Sequence, residues 1–407
     1  MKEVAGGVCA PKGFLAGGIR CGIKASSQKN DLALIYSPKP CLASAVFTTN
    51  KVKAASVQLT QKNIGKGELR ALIANSGNAN ACTGQDGMDV AVRIANLASG
   101  VLQISPEEVA VASTGVIGVP LPIAAIESGI GALKESLRAD EQGHAAALDA
   151  IMTTDTRKKD IAVEIHLGGK TVRIGAMVKG SGMIHPNMAT MLGFITTDAA
   201  IEKDALDCAL RLAVKKSFNR LTVDGDTSTN DMVLIMANGE AQNTPVTADC
   251  ADFETFVSAL EWACIALTRK MARDGEGATK LVTVTVTGAH SEEDAETLAK
   301  SVASSSLVKA ACFGADANWG RVLCAMGYSG VDFDPEKVSV SFKSAKGVIE
   351  VCKNGGSVSF SEEKAKEILL QEEIEILVSL QGGSAKASVW GCDLTYDYVK
   401  INGDYRS

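Results

Sequence analysis

Short apolar segments alternate along this chain with alanine-rich stretches whose apolar residues recur every three or four positions. Residues 32–36, 109–112 and 172–178 have the first pattern, and residues 123–137 and 145–152 have the second. Short apolar runs are typical of buried strands, while the three-and-four spacing is typical of helices that rest one face on a sheet. The alternation therefore predicts a mixed α/β fold.

The second half of the chain continues this alternation. Val282-Thr-Val-Thr-Val-Thr287 alternates strictly between an apolar and a polar residue, which is the pattern of a strand with one buried face. A helix is expected before it over residues 253–271 and another after it over residues 292–309. Further strands are expected, the last of them around residues 387–399.

Length and charge limit the classes of function. With 407 residues, 46% of them hydrophobic, the chain is long for one domain and sufficient for two. Its net charge of −6 and the lack of a basic block argue against nucleic acid or an anionic membrane as partner. No apolar run reaches the roughly 20 residues of a membrane helix, and no signal pattern precedes Gly6-Gly7. We expect a cytoplasmic protein that acts on a small molecule.

The sequence gives no indication of a metal or a cofactor. The 11 cysteines form no Cys-x-x-Cys pair and have no histidine at zinc-ligand spacing, so we expect reduced thiols. Gly275-Glu-Gly-Ala-Thr-Lys280 lacks the order of a phosphate-binding loop, and Gly17-Gly-Ile-Arg-Cys-Gly22 lacks the glycine spacing of a dinucleotide fingerprint. We therefore expect no metal, no nucleotide and no other cofactor.

A glycine-rich polar loop after Lys179 runs into a short β-branched segment, with Thr190 at the junction. A threonine at a strand start is ordinarily structural. Cleavage of the Ala189–Thr190 bond would change this, because the new α-amine titrates near pH 8 and lies within reach of Oγ as a base. Such cleavage can be autocatalytic when the loop strains the Ala189 carbonyl against the hydroxyl. Thr190 is thus a candidate nucleophile.

Several blocks, taken in order over essentially the whole chain, resemble the ornithine acetyltransferase family, also called glutamate N-acetyltransferases. The loop above contains the Ala-Thr-Met-Leu motif before whose threonine members of that family cleave themselves. The other blocks are Asn75-Ser-Gly-Asn78, Ser113-Thr114-Gly115-Val-Ile-Gly118, Thr153-Thr-Asp-Thr156, Asp224-Gly-Asp-Thr-Ser-Thr-Asn230, Arg273-Asp-Gly-Glu276-Gly-Ala-Thr279-Lys280 and Asn318-Trp-Gly-Arg321. The tail, Asn402-Gly-Asp-Tyr-Arg-Ser407, departs from the family's two closing threonines.

The resemblance implies a layered αββα fold of the type shared with DmpA-like aminopeptidases, together with a smaller C-terminal α/β lobe. The lobes are expected at about residues 1–280 and 281–407. Cleavage would give an α chain of residues 1–189 and a β chain of residues 190–407, and the family usually assembles these as a heterotetramer of two α and two β chains.

The resemblance also assigns roles to residues of this sequence. Thr190 is the implied nucleophile, and Thr114 and Gly115 form the implied oxyanion hole, at a site where we expect a tight turn after a strand. Taken alone, Ser-Thr-Gly is more often a simple turn or a helix cap. The positions that match those the family uses for substrate binding are Thr153, Lys179, Thr190, Glu276, Asn402 and Ser407.

The implied substrates carry α-carboxylates, for which Lys179 is a plausible partner, and Glu276 could meet an ornithine ammonium. Ordinary alternatives are a solvated surface lysine and a solvated loop carboxylate.

The implied reaction moves an acetyl group from N-acetylornithine to glutamate in arginine biosynthesis. Some members also accept acetyl-CoA, and the sequence does not decide between the single and the double activity. One alternative is an N-terminal-nucleophile amidohydrolase or aminopeptidase on the same fold, in which water resolves the acyl-enzyme. The other is an α/β binding protein without catalysis, which predicts an intact chain.

Overall fold

The computed structural model describes residues 1–24, 27–185 and 191–403. Strands of this part of the chain are β1 (Lys2–Glu3), β2 (Leu15–Ile19), β3 (Leu32–Phe47), β4 (Leu69–Asn78), β5 (Val109–Val116), β6 (Asp160–Leu167), β7 (Lys170–Lys179), β8 (Leu192–Thr197), β9 (Met232–Ala237), β10 (Leu281–Ala289), β11 (Ser339–Ser344), β12 (Gly347–Lys353), β13 (Gly356–Ser357), β14 (Glu373–Ser379) and β15 (Ala385–Cys392). Its α-helices are α1 (Ala55–Ile64), α2 (Gly84–Leu102), α3 (Ile123–Glu135), α4 (Glu141–Ile151), α5 (Lys203–Lys216), α6 (Ala251–Arg273), α7 (Glu292–Ser304), α8 (Ser306–Phe313), α9 (Trp319–Gly327), α10 (Glu362–Leu369) and α11 (Tyr396–Gly403).

The long strand β3 belongs to two parts of one nine-stranded sheet. Its first half pairs with β2 and β4, and β4 pairs in parallel with β5. Its second half pairs with β9, from which the sheet continues through β8, β7 and β6 to β1. Pro38 and Pro40 lie between the two halves. Because proline has no N–H to donate, regular pairing is interrupted there, and β3 can pass from one part of the sheet to the other.

The two parts of this sheet stack on each other between two layers of helices. Leu72 and Ala112 from the β2–β5 part share one apolar cluster with Phe194 and Leu234 from the other part. The outer face of the β2–β5 part packs against α1, α2 and α3, and the outer face of the other part packs against α5 and α6. The order of layers is helix, sheet, sheet, helix, which confirms the expected αββα fold.

A second, six-stranded sheet with its own apolar core forms the C-terminal lobe. Its strand order is β13-β12-β11-β14-β10-β15. β10 contains the alternating valines and threonines, and its Val282, Val284 and Val286 are buried. Helices α7 to α10 cover this sheet and share its core. The expected smaller α/β lobe is therefore confirmed.

Two predicted elements differ from the structure. The strand expected around residues 387–399 ends at Cys392, because Asp393 turns away to accept hydrogen bonds from the backbone N–H groups of Thr279 and Lys280, both 2.9 Å. The rest of the range expected to be a strand leads into α11, which begins at Tyr396. The helix expected over residues 292–309 is two helices, since the Ser305 side chain caps α8 at Val308 N.

Within the described ranges, no helix is long and apolar enough to cross a membrane.

Candidate active site

Thr114 and Gly115 lie near the end of β5 and are still paired with β4, so the expected tight turn is wrong. Gly115 has φ +134°, in the region that favours glycine. A Cβ at this position would lie 2.3 Å from Gly77 C and 2.5 Å from Asn78 N. The close approach of the two strands therefore requires glycine at position 115, and it fixes the neighbouring Thr114.

Lys179 is the last residue of β7, in the other part of the sheet. Its side chain is directed inward and the residue is only 8% exposed, so it is not a solvated surface lysine. Its Nζ donates to Thr114 Oγ1 over 3.3 Å. The contact brings together two predicted site residues that are far apart in the sequence.

Charged groups surround the buried ammonium of Lys179. Burial lowers the pKa of Lys179 below its ordinary value, and the positive charge of Lys159 acts in the same direction. The carboxylates of Asp155, Asp231 and Glu276 oppose this decrease, Asp155 most strongly. A substrate carboxylate would likewise favour the protonated form of Lys179, so the site is suited to binding an anionic group beside Thr114.

Thr153 belongs to a segment that is tied to the end of β7. The backbone N–H groups of Thr153 and Gly180 donate to the two oxygens of Asp155, over 3.0 and 2.7 Å respectively. Burial would raise the pKa of Asp155, but the charges of Lys179 and Lys159 hold it below the usual range. Asp155 is thus an ionised carboxylate between the two segments.

Glu276 is 8% exposed, so the alternative of a solvated loop carboxylate is wrong. Its backbone N–H donates to Ser181 O over 2.9 Å, and a Cβ at Gly182 would lie 2.3 Å from Glu276 Oε2. Asn402, on α11, donates from Nδ2 to the same carboxylate oxygen over 2.8 Å. Helix α11 therefore places the predicted site residue Asn402 in direct contact with the predicted site residue Glu276.

Ala189, Thr190 and Ser407 lie outside the described residues. The chain after the candidate cleavage position is defined from Met191, whose carbonyl accepts a hydrogen bond from Met232 N over 2.8 Å. The next residue, Leu192, is paired with Lys179 across β7 and β8.

The segment before the candidate cleavage position is held by Asp224. This carboxylate accepts hydrogen bonds from Met183 N at 2.6 Å and Ile184 N at 2.9 Å. It also accepts one from Asp226 N at 3.2 Å, so Asp224 organises its own loop as well as this segment. His185, the last described residue of the segment, contacts Thr222 Oγ1 through Nδ1 at 3.0 Å, and burial lowers the pKa of His185 to about 4.

Asp155, Lys159 and Asp274 are neighbours of the site that sequence reasoning did not select. They lie within or next to the Thr153 and Glu276 blocks, and this proximity was the available signal. Their burial could not be read from residue type, because a charged residue in a polar loop is usually solvated. The part of the chain that the structure describes contains no cluster of histidine, cysteine and acidic residues able to hold a metal ion.

The four layers and this site define the class, an αββα protein with a buried, charged site in which Lys179 contacts Thr114 and the charge of Glu276 acts on Lys179. The sequence profile of the ArgJ family matches residues 15–407. This chain belongs to the ArgJ family.

Individual relatives match over nearly their full length. The arginine biosynthesis bifunctional protein ArgJ of Symbiobacterium thermophilum is 53% identical, over 100% of both chains. The protein of the same description from Bacillus subtilis is 48% identical, over 100% of this chain and 98% of its own. A crystal structure of the Bacillus halodurans protein is 47% identical, with a TM-score of 0.51, and covers 53% of this chain and 100% of its own. The expected family is confirmed, and with it a function as an acetyltransferase of arginine biosynthesis.

Proposed function

We propose that this chain transfers the acetyl group of N2-acetyl-L-ornithine to L-glutamate through an acetyl-Thr190 intermediate, giving L-ornithine and N-acetyl-L-glutamate. The observation that carries the proposal is the contact between Lys179 and Thr114, with Glu276 close by. This contact places the buried cation of Lys179, which is suited to an α-carboxylate, beside the hydroxyl of Thr114, which is suited to stabilise a developing oxyanion.

In the first half-reaction, Thr190 Oγ attacks the acetyl carbonyl of acetylornithine, and the α-amine of Thr190 accepts the hydroxyl proton. The carbonyl oxygen becomes an oxyanion, which the Thr114 hydroxyl and the Gly115 N–H stabilise. The C–N bond then breaks as the protonated α-amine returns its proton to the leaving nitrogen. Ornithine departs and the acetyl group remains as an ester on Thr190.

In the second half-reaction, the neutral amine of glutamate attacks this ester. The same oxyanion hole stabilises the second tetrahedral intermediate, and the α-amine of Thr190 accepts a proton from the attacking nitrogen. The ester C–O bond breaks and Thr190 Oγ regains a proton. N-acetylglutamate leaves, so the scheme is ping-pong.

The two substrates share an α-carboxylate, and we assign this group to Lys179. Glu276 would pair with the side-chain ammonium of ornithine, and Thr153 and Asn402 would add polar contacts. Ser407 would add a further polar contact.

Self-cleavage between Ala189 and Thr190 would generate the required α-amine and two chains, residues 1–189 and 190–407. Intact mass under denaturing conditions tests this step on the wild type, on Thr190→Ala and on Thr190→Ser as the matched control that keeps a hydroxyl. We expect two fragments from the wild type, slower cleavage in Thr190→Ser and a single chain in Thr190→Ala. An uncut wild-type chain would overturn the mechanism. The mature assembly would be a cytoplasmic heterotetramer of two α and two β chains, which light scattering tests.

An acetyl-release assay with and without glutamate separates this function from an amidohydrolase or aminopeptidase. Transfer predicts that ornithine is released catalytically only when glutamate is present. Catalytic release in its absence would mean that water resolves the ester. The same assay with acetyl-CoA as donor decides whether the chain also acts as an amino-acid N-acetyltransferase.

A further inference from the structure

Lys159 is one of the most deeply buried charged residues in the described part of the chain, at 1% exposure. Its Nζ lies 2.6 Å from Asp155 Oδ1 and 2.5 Å from Asp274 Oδ2, and both carboxylates are buried. Burying three charged groups is costly unless each is paired and hydrogen-bonded. We refer to Lys159, Asp155 and Asp274 as the buried triad.

The Asp155 side of the buried triad holds two segments. One carboxylate oxygen accepts from Gly180 N, directly after Lys179, and the other accepts from Thr153 N. A single side chain thereby connects two segments that carry proposed substrate-binding residues.

Asp274 itself belongs to a third segment, the one that contains Glu276, and its side chain binds this segment to the one that contains Thr153. Its carboxylate accepts hydrogen bonds from the backbone N–H and hydroxyl of Thr156 and from Arg157 N. Its own carbonyl accepts a hydrogen bond from Ser181 Oγ over 2.6 Å. Glu276 is two residues further along, and its N–H donates to Ser181 O. The buried triad thus links the segments of Thr153, Lys179 and Glu276 through one lysine.

We propose that the buried triad is a positioning network for substrate binding, which fixes Thr153, Lys179 and Glu276 relative to one another and supplies Lys179 with its principal counter-charge through Asp155. The inference rests on the proposed function, because it assumes that these three residues bind the substrates. Its members act through other residues and do not touch the substrate.

The charge balance of the site supports this role. Asp155 and Asp274 carry two negative charges, and Lys159 and Lys179 carry two positive charges. The titratable groups that act on Lys179 also include Asp231, Glu276 and Lys24. Asp231 has its pKa raised well above the usual range by burial, so it is a weak source of negative charge, and Lys24 is a like charge. Removal of the Asp155 charge would leave Lys179 with Glu276 as its main acidic neighbour.

The first test is Asp155→Asn, which keeps the size of the side chain and removes its charge. KM and kcat for acetylornithine and glutamate are measured from pH 6 to pH 10. We expect KM for both substrates to rise at least about tenfold, and the alkaline fall of kcat/KM to move to lower pH by about one unit or more, because Lys179 would lose its proton earlier. The matched control is Asp149→Asn, which removes a carboxylate from an exposed ion pair with Lys158 and should leave both quantities unchanged.

The second test uses a milder change that spares the charges. Thr156→Val removes the hydroxyl that contacts Asp274, and Thr156→Ser keeps it. We expect Thr156→Val to raise KM several-fold with little change in kcat, and Thr156→Ser to restore wild-type KM. A purely structural role would lower the unfolding temperature of Thr156→Val without this difference in KM between the two folded variants.

The outcomes separate this inference from the proposed function. A wild-type protein that does not transfer acetyl groups would overturn the proposed function. The positioning network alone would be overturned if the wild type transfers acetyl groups and Asp155→Asn is folded with unchanged KM and an unchanged alkaline fall of kcat/KM. If Asp155→Asn does not fold, equal KM values in Thr156→Val and Thr156→Ser overturn it.

Discussion

The ammonium of Lys179 lies 3.3 Å from the hydroxyl oxygen of Thr114 and joins the ends of two strands in different layers of the protein. Lys179 ends β7 and Thr114 lies near the end of β5, and these strands belong to the two stacked parts of the sheet. The candidate site therefore lies where the two layers meet. Its geometry depends on the packing between them as much as on either strand alone.

Replacement of Lys179 by methionine should weaken substrate binding. A charge-assisted hydrogen bond contributes about 1.5–3 kcal/mol, so we expect KM for both substrates to rise about 10- to 150-fold. Lys170→Met is the matched control, because Lys170 is exposed at the opposite end of the same strand. Steady-state kinetics of the two variants measure the difference. Equal KM values would show that Lys179 does not bind the substrate carboxylate.

Thr114→Val should lower kcat by about 100- to 1000-fold with a smaller effect on KM, because the lost hydroxyl would stabilise charge that develops only in the transition state. Thr114→Ser keeps the hydroxyl and should retain most of the activity. Single-turnover measurement of acetyl transfer distinguishes the two variants. If Thr114→Val kept wild-type kcat, the oxyanion would have to be stabilised elsewhere.

Gly115→Ala should destabilise the fold severely. The added methyl would meet the backbone of Gly77 and Asn78, and the φ of +134° is itself unfavourable for alanine, so a loss of about 3 kcal/mol or more is expected. Gly118→Ala also has a positive φ but open space around its Cβ, and it should cost about 1 kcal/mol. Thermal unfolding ranks the two. A similar unfolding temperature would show that β4 and β5 can separate without penalty.

His185 should make stability decrease at acidic pH. Burial lowers the pKa of His185 to about 4 in the native protein, from about 6.5 when exposed. Between these values the unfolded chain binds a proton that the native protein does not, so stability is lost as the pH falls from about 6.5 towards 4 and no further below it. Urea unfolding at pH 7 and pH 5 should show a smaller decrease in His185→Gln than in the wild type. The opposite ranking would contradict the assignment.

Much of the fold could be predicted because the spacing of apolar residues along the sequence follows which face of a strand or helix is buried. The valines of β10 and the apolar runs of β5 and β7 correspond to buried strands. The region around Asp393 could not be predicted in this way. There, long-range hydrogen bonds to Thr279 and Lys280 end a strand whose local pattern continues, and such bonds leave no local signature.

In the site, too, the features with a local sequence pattern could be predicted and those set by long-range contacts could not. Lys179 and Glu276 could be selected from their blocks, but their burial and the link between Glu276 and Asn402 depend on tertiary contacts. The buried triad was missed for the same reason. Lys158 and Lys159 are adjacent and chemically identical, yet one forms an exposed ion pair and the other is enclosed between two carboxylates.

The position of strand β3 in the sheet affects how the chain can fold, because β3 pairs with a strand from the other side of the candidate cleavage position. It pairs with β9, which pairs with β8, which pairs with β7, so segments from before residue 186 and after residue 190 occupy neighbouring places in one sheet. The part of the sheet that runs from β1 to the second half of β3 is complete only when both segments are present. Without the other segment, β7 would lack its partner β8 and β3 would lack its partner β9, so neither polypeptide is expected to reach the native state alone.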